Sequence, residues 1–214
     1  MKRIADHDII VSDLDALDSI LKEYAATNRA FVVVSREKEE NLPLQLQEVL
    51  DHGNYLHGDA TRDETLEKAG IKKAESIIIA TGDDSFNMYV LVTAKSLNPG
   101  LNKIVRINNV ENSSKFTSVG ADRVLPAASI IGQMLTQAAF NPVSHRFLVA
   151  LTTHTQDPFL EDVHPGKEDI GKKVLDLYKR PIVLSRDGKF IVDIEEEKLK
   201  DGDVIIKTHN KFKS

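Results

Sequence analysis

The sequence predicts an α/β fold, a doubly wound parallel sheet followed by a crossover helix and a small β-rich α+β lobe, and three observations carry that prediction. Runs such as Ile9-Ile-Val11, Val32-Val-Val34 and Ile77-Ile-Ile79 are apolar throughout rather than alternating, the mark of strands buried on both faces. Helical patterns separate these runs as far as Pro126, which is the strand–helix alternation of an open parallel sheet. Beyond Pro126 the pattern changes to one apolar helix and then to short β-branched runs joined by Asp-Gly turns.

Taken in order, Asp8-Ile-Ile-Val-Ser12 is the first strand and residues 14–24 an amphipathic helix. Phe31-Val-Val-Val-Ser35 is the second strand, with a helix over 44–50, and Asn54-Tyr-Leu-His57 is a short third strand. Residues 63–69 form a helix that Gly70 stops. Ser76-Ile-Ile-Ile-Ala80 is the fourth strand, followed by a helix over 85–97 that Asn98-Pro99-Gly100 closes. Lys103-Ile-Val-Arg-Ile107 and Asp122-Arg-Val-Leu125 are two further strands around a helix at 113–119. Residues 127–140 make a helix whose Ile130, Ile131, Met134, Leu135, Ala138 and Ala139 run round more than one face. It either closes the core of the first domain or crosses to a second subunit, and Asn141-Pro142 stops it. The rest holds a Pro165-Gly166 turn, a short helix over 172–177, a hairpin around Asp187-Gly188 and a last strand, Val204-Ile-Ile-Lys207. The expected domains are 1–126, 127–153 and 154–214.

Composition narrows the function. The 28 Lys and Arg against 33 Asp and Glu leave a formal net charge of -5, which opposes a role in coating nucleic acid. With no tryptophan and 6% aromatics, stacking platforms for single strands are not expected either. The absence of cysteine removes disulfides, thiolate metal sites and Cys nucleophiles. No apolar run reaches the ~20 residues of a membrane span, and the opening Met1-Lys-Arg-Ile-Ala-Asp-His-Asp lacks a signal-peptide core, so a soluble cytosolic chain is expected. There is no Gly-x-Ser-x-Gly elbow and no Walker loop, and the acid pairs lack the opposed geometry of a glycosidase, so catalysis is not expected.

In an open parallel sheet ligands bind beyond the carboxyl ends of the strands. The loops there are Ser12-Asp-Leu-Asp15, Ser35-Arg-Glu37, Gly58-Asp-Ala-Thr61, Thr81-Gly-Asp-Asp84 and Arg106-Ile-Asn-Asn109. A dinucleotide cradle needs glycines in the first loop, and this one has none. Asp13 and Asp15 would instead face the pyrophosphate, and two like charges at ~4 Å repel by roughly 4 kcal/mol at a dielectric of about 20. In the second loop Ser35 stands where a ribose-binding acid is expected, with Arg36 and Glu37 next; Arg36 is either a phosphate contact or a surface arginine. Both loops disfavour a nicotinamide-dependent dehydrogenase. The candidate ligand-binding residues are Ser12, Ser35, Asp59, Ala60, Thr61, Thr81, Gly82, Asp83, Arg106 and Asn108. The candidate metal ligands are Asp13, Asp15, Asp59, Asp83 and Asp84, an oxygen set that suits a hard divalent cation. Asp13 and Asp15 also complement a helix dipole, and Asp59 and Asp84 also serve as helix caps. The seven histidines include no i, i+4 pair; His154 and His164 flank Asp157, Glu161 and Asp162 in a second, weaker metal candidate.

Tyr55-Leu-His-Gly-Asp-Ala-Thr61, Leu66-Glu-Lys-Ala-Gly-Ile71, Ile77-Ile-Ile-Ala-Thr-Gly-Asp-Asp84 with Asn87, Leu97-Asn-Pro99, Arg106-Ile-Asn108 and Val119-Gly-Ala-Asp-Arg-Val-Leu-Pro126 together resemble the domain that regulates potassium conductance, the RCK family related to the nucleotide-binding subunits of Trk and Ktr uptake systems. The Pro165-Gly-Lys turn, Ile170-Gly-Lys-Lys-Val-Leu-Asp-Leu177, Arg186-Asp-Gly188 and Leu199-Lys-Asp-Gly-Asp-Val-Ile-Ile206 resemble its C-terminal module, and Ile4-Ala-Asp-His-Asp-Ile-Ile-Val11 looks like the join that follows a pore helix. The resemblance implies a Rossmann-like first domain, a 127–140 helix swapped between the subunits of a homodimer, and a tetramer of dimers forming an octameric ring. It implies a potassium channel pore or transporter membrane subunit as partner, at the inner face of the cell membrane. Two departures stand out: the family's nucleotide-binding glycines are missing, and Ala80, Arg106 and Asn108 occupy the positions of the carboxylates that calcium-gated members use. The expected function is a cytosolic gating-ring domain of a potassium channel opened by a divalent cation such as calcium, which is ranked ahead of NAD, AMP or ATP. A nucleotide-binding regulatory subunit of a Trk/Ktr-type system is the alternative, and a Rossmann oxidoreductase ranks below both.

Overall fold

The structure, a computed structural model, describes residues 6–50, 54–151, 159–179 and 181–209. Two sequence expectations, the join through Met1–Ile4 and the metal candidates His154 and Asp157, lie outside the described residues. The chain forms two compact units, Met1–Ala139 and Phe140–Ser214.

The first unit runs β1 (His7–Ser12), α1 (Leu14–Thr27), β2 (Phe31–Ser35), α2 (Leu44–Val49), β3 (Tyr55–His57), α3 (Asp63–Lys68), β4 (Ala74–Ala80), α4 (Asp84–Leu97), β5 (Asn102–Ile107), α5 (Ser113–Val119), β6 (Arg123–Pro126) and α6 (Ala127–Phe140). Its six strands pair in the order β3-β2-β1-β4-β5-β6, every ladder parallel, so the expected doubly wound, Rossmann-like sheet is present. The strands are apolar throughout because both faces are covered. Ile9 and Val11 of β1 join Val32, Val34, Ile77, Ile79, Leu91 and Phe116 in one core, while the intervening Ile10 joins Leu17, Leu21, Val33 and Leu46 in the other. Gly70 ends α3 in the left-handed region at φ 82°, as expected of a helix stop.

At the amino end of β1 a polar cluster gathers around the buried Asp8 and Ser76. Asp8, 1% exposed, accepts hydrogen bonds from Tyr24 Oη at 2.8 Å and Ser76 Oγ at 2.5 Å, and Arg29 Nε lies 3.0 Å from its carboxylate. Burial pushes the Tyr24 phenol well above its ordinary range, and its bond to Asp8 adds to the shift.

None of the fourteen residues of α6 is buried, and Ile131, Leu135 and Phe140 are 58%, 67% and 77% exposed. Among the described residues no helix is long and apolar enough to cross a membrane.

The second unit contains α7 (Pro142–Leu151), β7 (Phe159–Val163), α8 (Val174–Leu177), β8 (Pro181–Arg186), β9 (Lys189–Ile191) and β10 (Val204–His209). Its strands form an antiparallel sheet in the order β7-β10-β8-β9, over a core of Val174, Leu184, Ile194, Leu199 and Ile205. Asp187 and Gly188 both take positive φ, 50° and 72°, as a tight two-residue hairpin requires. Arg186 Nε and Nη2 each donate to Asp203 at 2.9 Å, and Nη1 donates to Glu197 at 2.8 Å. Two elements differ from the sequence expectation. Asn141-Pro142 ends α6 but also begins α7, because a proline in the first helical turn loses no hydrogen bond. β7 was not expected because its acids Glu161 and Asp162 interrupt the apolar run; as an edge strand it pairs with β10 alone.

Candidate ligand-binding site

The order of strands reverses between β1 and β4, so the loops leaving their carboxyl ends part and open a crevice. The crevice is a cleft of about 390 Å³ lined by Ser12, Asp13, Leu14 and Asp15 from the first loop, Ser35, Arg36 and Glu37 from the second, Gly58 and Ala60 from the third, and Thr81 and Phe86 from the fourth. Its floor is the apolar end of the sheet, Val11 and Val34. Its volume falls in the range of small-molecule sites. Gly58 is required for close approach: a Cβ there would stand 2.9 Å from Thr65 Cγ2 of α3.

Each aspartate of the expected cation set already has a local donor. Asp13 begins α1 without capping it; its Oδ2 instead accepts the Gly82 N–H at 2.6 Å, tying the first loop to the fourth. Asp15 pairs with Arg106 Nη1 at 3.2 Å. Asp59 accepts from the Thr61 N–H at 3.0 Å and its hydroxyl at 2.8 Å. Burial raises the Asp59 pKa, but those bonds and the charges of Arg36 and Arg62 outweigh it, and the carboxyl is held below the usual range. Asp83 caps α4, accepting from Ser85 N at 2.8 Å and Phe86 N at 3.2 Å. Here the sequence expectation is corrected: Asp84 does not cap its own helix. Its carboxylate crosses to the segment after β5, accepting from Asn108 N at 2.8 Å, Asn109 N at 3.2 Å and Asn112 Nδ2 at 2.9 Å. Burial opposes ionisation of Asp84, yet these donors and Arg106 hold its pKa low. Asp59 is corrected too, since Arg62 stands at the start of α3 and Asp59 closes the turn before it. Among the described residues no three His, Asp or Glu side chains form a set able to hold a metal ion.

The structure thus brings Ser12, Ser35, Ala60 and Thr81 to the cleft wall together with Asp13 and Asp15. Gly82, Arg106 and Asn108 brace it from behind: Asn108 Nδ2 donates to the Gly82 carbonyl at 2.6 Å, and Arg106 Nη2 is 3.5 Å from Asn108 Oδ1. The contributors absent from the candidate residues include Phe86, Gly58 and Asn87. Phe86 forms the wall beneath Arg36, whose guanidinium carbon sits 4.2 Å from the ring centroid. Gly58 gives the third loop its room. Asn87, fully buried, donates to the carbonyls of Thr81 at 3.0 Å and Arg106 at 3.1 Å and so locks the ends of β4 and β5. A lone amide one turn into an otherwise apolar helix face was the available signal for Asn87.

The TrkA-N domain family matches residues 18–126, just over half of the chain. Potassium channel protein 1 of Methanocaldococcus jannaschii is 29% identical over 178 residues, covering 82% of this chain and 52% of the relative, so the chain spans about half the length of that protein. The human SLO3 gating ring aligns with a TM-score of 0.64 at 11% identity, over 95% of this chain and 44% of the other. A GsuK channel bound to NAD aligns with a TM-score of 0.54 at 19% identity, over 99% of this chain and 38% of the other. At these identities the two structural likenesses speak for the fold alone.

Proposed function

The chain belongs to the TrkA-N domain family, and from that membership we propose that it is the ligand-sensing regulatory domain of a potassium channel, with an adenine nucleotide as the ligand of the cleft. The observation that carries the reading is the cleft itself: a nucleoside-sized crevice at the switch point of a parallel sheet, walled by hydroxyls, one guanidinium, an aromatic ring and the carboxylates of Asp13, Asp15 and Glu37. The channel name of its archaeal relative and the NAD held by a channel of the same fold support it. Such a domain is a sensor and not an enzyme. Its ligand acts by binding two arrangements of the assembly with different affinity. The partner is a potassium-conducting pore at the inner face of the membrane, on the same polypeptide or, in a Trk/Ktr-type arrangement, on a separate subunit.

The glycine-free first loop confines the nucleotide contacts largely to the nucleoside end. NAD is therefore expected to bind with a dissociation constant above about 10 µM, roughly -7 kcal/mol. Adenine nucleotide at 100 times its dissociation constant is expected to stabilise the chain by about 2.7 kcal/mol, read as a rise in melting temperature. Calcium, expected first from the sequence, is the second reading, favoured by the two carboxylates of Asp13 and Asp15 on the cleft wall and opposed by the donors each already has. The same melt with millimolar calcium decides between them. A rise with calcium and none with nucleotide would reverse the assignment.

Assembly follows from α6. We keep the division into 1–126, a 127–153 dimerisation segment and 154–214, with α6 seated on a partner subunit and the dimers building a ring. The exposure of the apolar Ile130, Ile131, Leu135 and Phe140 along one helix supports an interface there. Ile131→Glu together with Leu135→Glu is expected to convert dimer to monomer or aggregate in sedimentation velocity. Well-folded dimers from that variant would remove α6 from the interface.

A further inference from the structure

We propose that the cleft selects nucleosides bearing a phosphate on the ribose ring, at the 2′ or 3′ position, and that Arg36 reads that phosphate. The proposal rests on the nucleotide reading above and specifies its ligand class.

The argument starts from position. A nucleotide bound at the switch point of this topology places its ribose hydroxyls beyond the end of the second strand. A carboxylate on the last residue of that strand accepts from two free hydroxyls and repels a phosphate; a cationic donor does the reverse. Here β2 ends at Ser35, so no carboxylate holds that place, and Arg36 follows it into the cleft wall. The Ser35 hydroxyl accepts the Glu37 N–H at 3.1 Å, which turns the loop, and His57 Nε2 lies 3.0 Å from the Arg36 carbonyl oxygen, which pins its backbone.

The state of Arg36 is the second observation. The ring of Phe86 supports its guanidinium at 4.2 Å, and among the described residues no carboxylate lies within ion-pair distance of it, although its charge reaches Asp59 and helps hold that carboxyl low. Arg106, the other guanidinium close to the cleft, is already paired with Asp15. A guanidinium held over the Phe86 ring still has N–H donors for a bidentate anion, and a phosphate suits that donor set. The first loop points the same way from the opposite side. Asp13 and Asp15 line the path of a 5′-phosphate chain and offer it no cation, Asp15 being paired with Arg106, whereas the second loop offers Arg36, with Glu37 on the wall beside it.

Calorimetric titration of the full chain with 2′-AMP, 3′-AMP, 5′-AMP, NAD, NADP and inorganic phosphate tests this. At least one of 2′-AMP and 3′-AMP is expected to bind tenfold or more tightly than 5′-AMP, about 1.4 kcal/mol. The isomer that does so identifies the hydroxyl, and a 2′ preference should reappear as NADP over NAD. Arg36→Gln, a surface change outside the core, is expected to reduce the preference to within twofold. Ser35→Asp is expected to invert it. Equal or tighter binding of 5′-AMP would overturn the selectivity while leaving the nucleotide reading in place. A preference that survives Arg36→Gln would overturn the assignment to Arg36. Inorganic phosphate competing as well as the ring-phosphorylated isomer would reduce the site to a bare anion site and overturn it. Binding of no adenine nucleotide at all would end both readings.

Discussion

Asp203→Ala is expected to unfold the second unit at neutral pH while leaving the first intact. The Asp203 side chain is fully buried, accepts two bonds from Arg186 and takes a third from the Lys200 N–H at 2.8 Å. Its loss leaves a guanidinium 15% exposed with Glu197 and the Lys198 carbonyl as its remaining partners. Removing one member of a buried ion pair costs about 3–5 kcal/mol. Among the described residues its core cluster has five buried apolar side chains, and a domain that small has little stability beyond that sum. Hydrogen exchange of the full chain is the measurement: protection in β8 and β10 should vanish while that in β1 and β4 persists. Unchanged protection in β8 would refute the expectation. A pH dependence goes with it. Burial raises the Asp203 pKa, but Arg186 and the Lys200 amide outweigh it, so the folded carboxyl titrates below its unfolded value. The stabilisation is therefore complete above an unfolded pKa of about 3.9 and is lost as pH falls through the lower folded value. In the alanine variant that component of acid unfolding should be absent.

Asp8→Ala is expected to destabilise the first unit by about 2–4 kcal/mol, read as a lowered urea midpoint at constant slope. The substitution strips the acceptor from the hydroxyls of the half-buried Tyr24 and the buried Ser76 beside the central strand. Arg29 contributes little of this, since its side chain is 56% exposed and water can replace the carboxylate. Tyr24→Phe, which removes one hydroxyl and keeps the ring packed edge-on to Phe31, should cost about 1 kcal/mol. A loss below 1 kcal/mol for Asp8→Ala would mean that the cluster is hydrated.

The sheet was legible because its strands are buried on both faces, and β-branched runs of that kind have few other uses. The burial of Asp8 and His7 was not legible: nothing at the head of an apolar run marks a polar residue as enclosed, yet both are 1% exposed and held by partners distant in sequence, Ser76 and Ala69. The cleft was located from topology alone, since any such sheet opens at its switch point. What the aspartates do there was not legible. Asp83 and Asp84 are adjacent, yet one caps α4 and the other reaches the β5 side, a difference set by backbone direction and not by residue type. The Arg36–Phe86 stack joins residues fifty positions apart, and no local pattern announces it.

One feature of the sheet bears on force. β1 lies at its centre, hydrogen-bonded to β2 on one side and β4 on the other, all three running the same way. A pull on the chain ahead of His7 acts along β1, so both ladders are sheared as a block instead of being peeled apart one bond at a time. The sheet answers such a load as a stiff body, because β1 shares it with β2 and β4 along both ladders. The first and fourth loops of the cleft, which leave β1 and β4, are then carried by one stiff element.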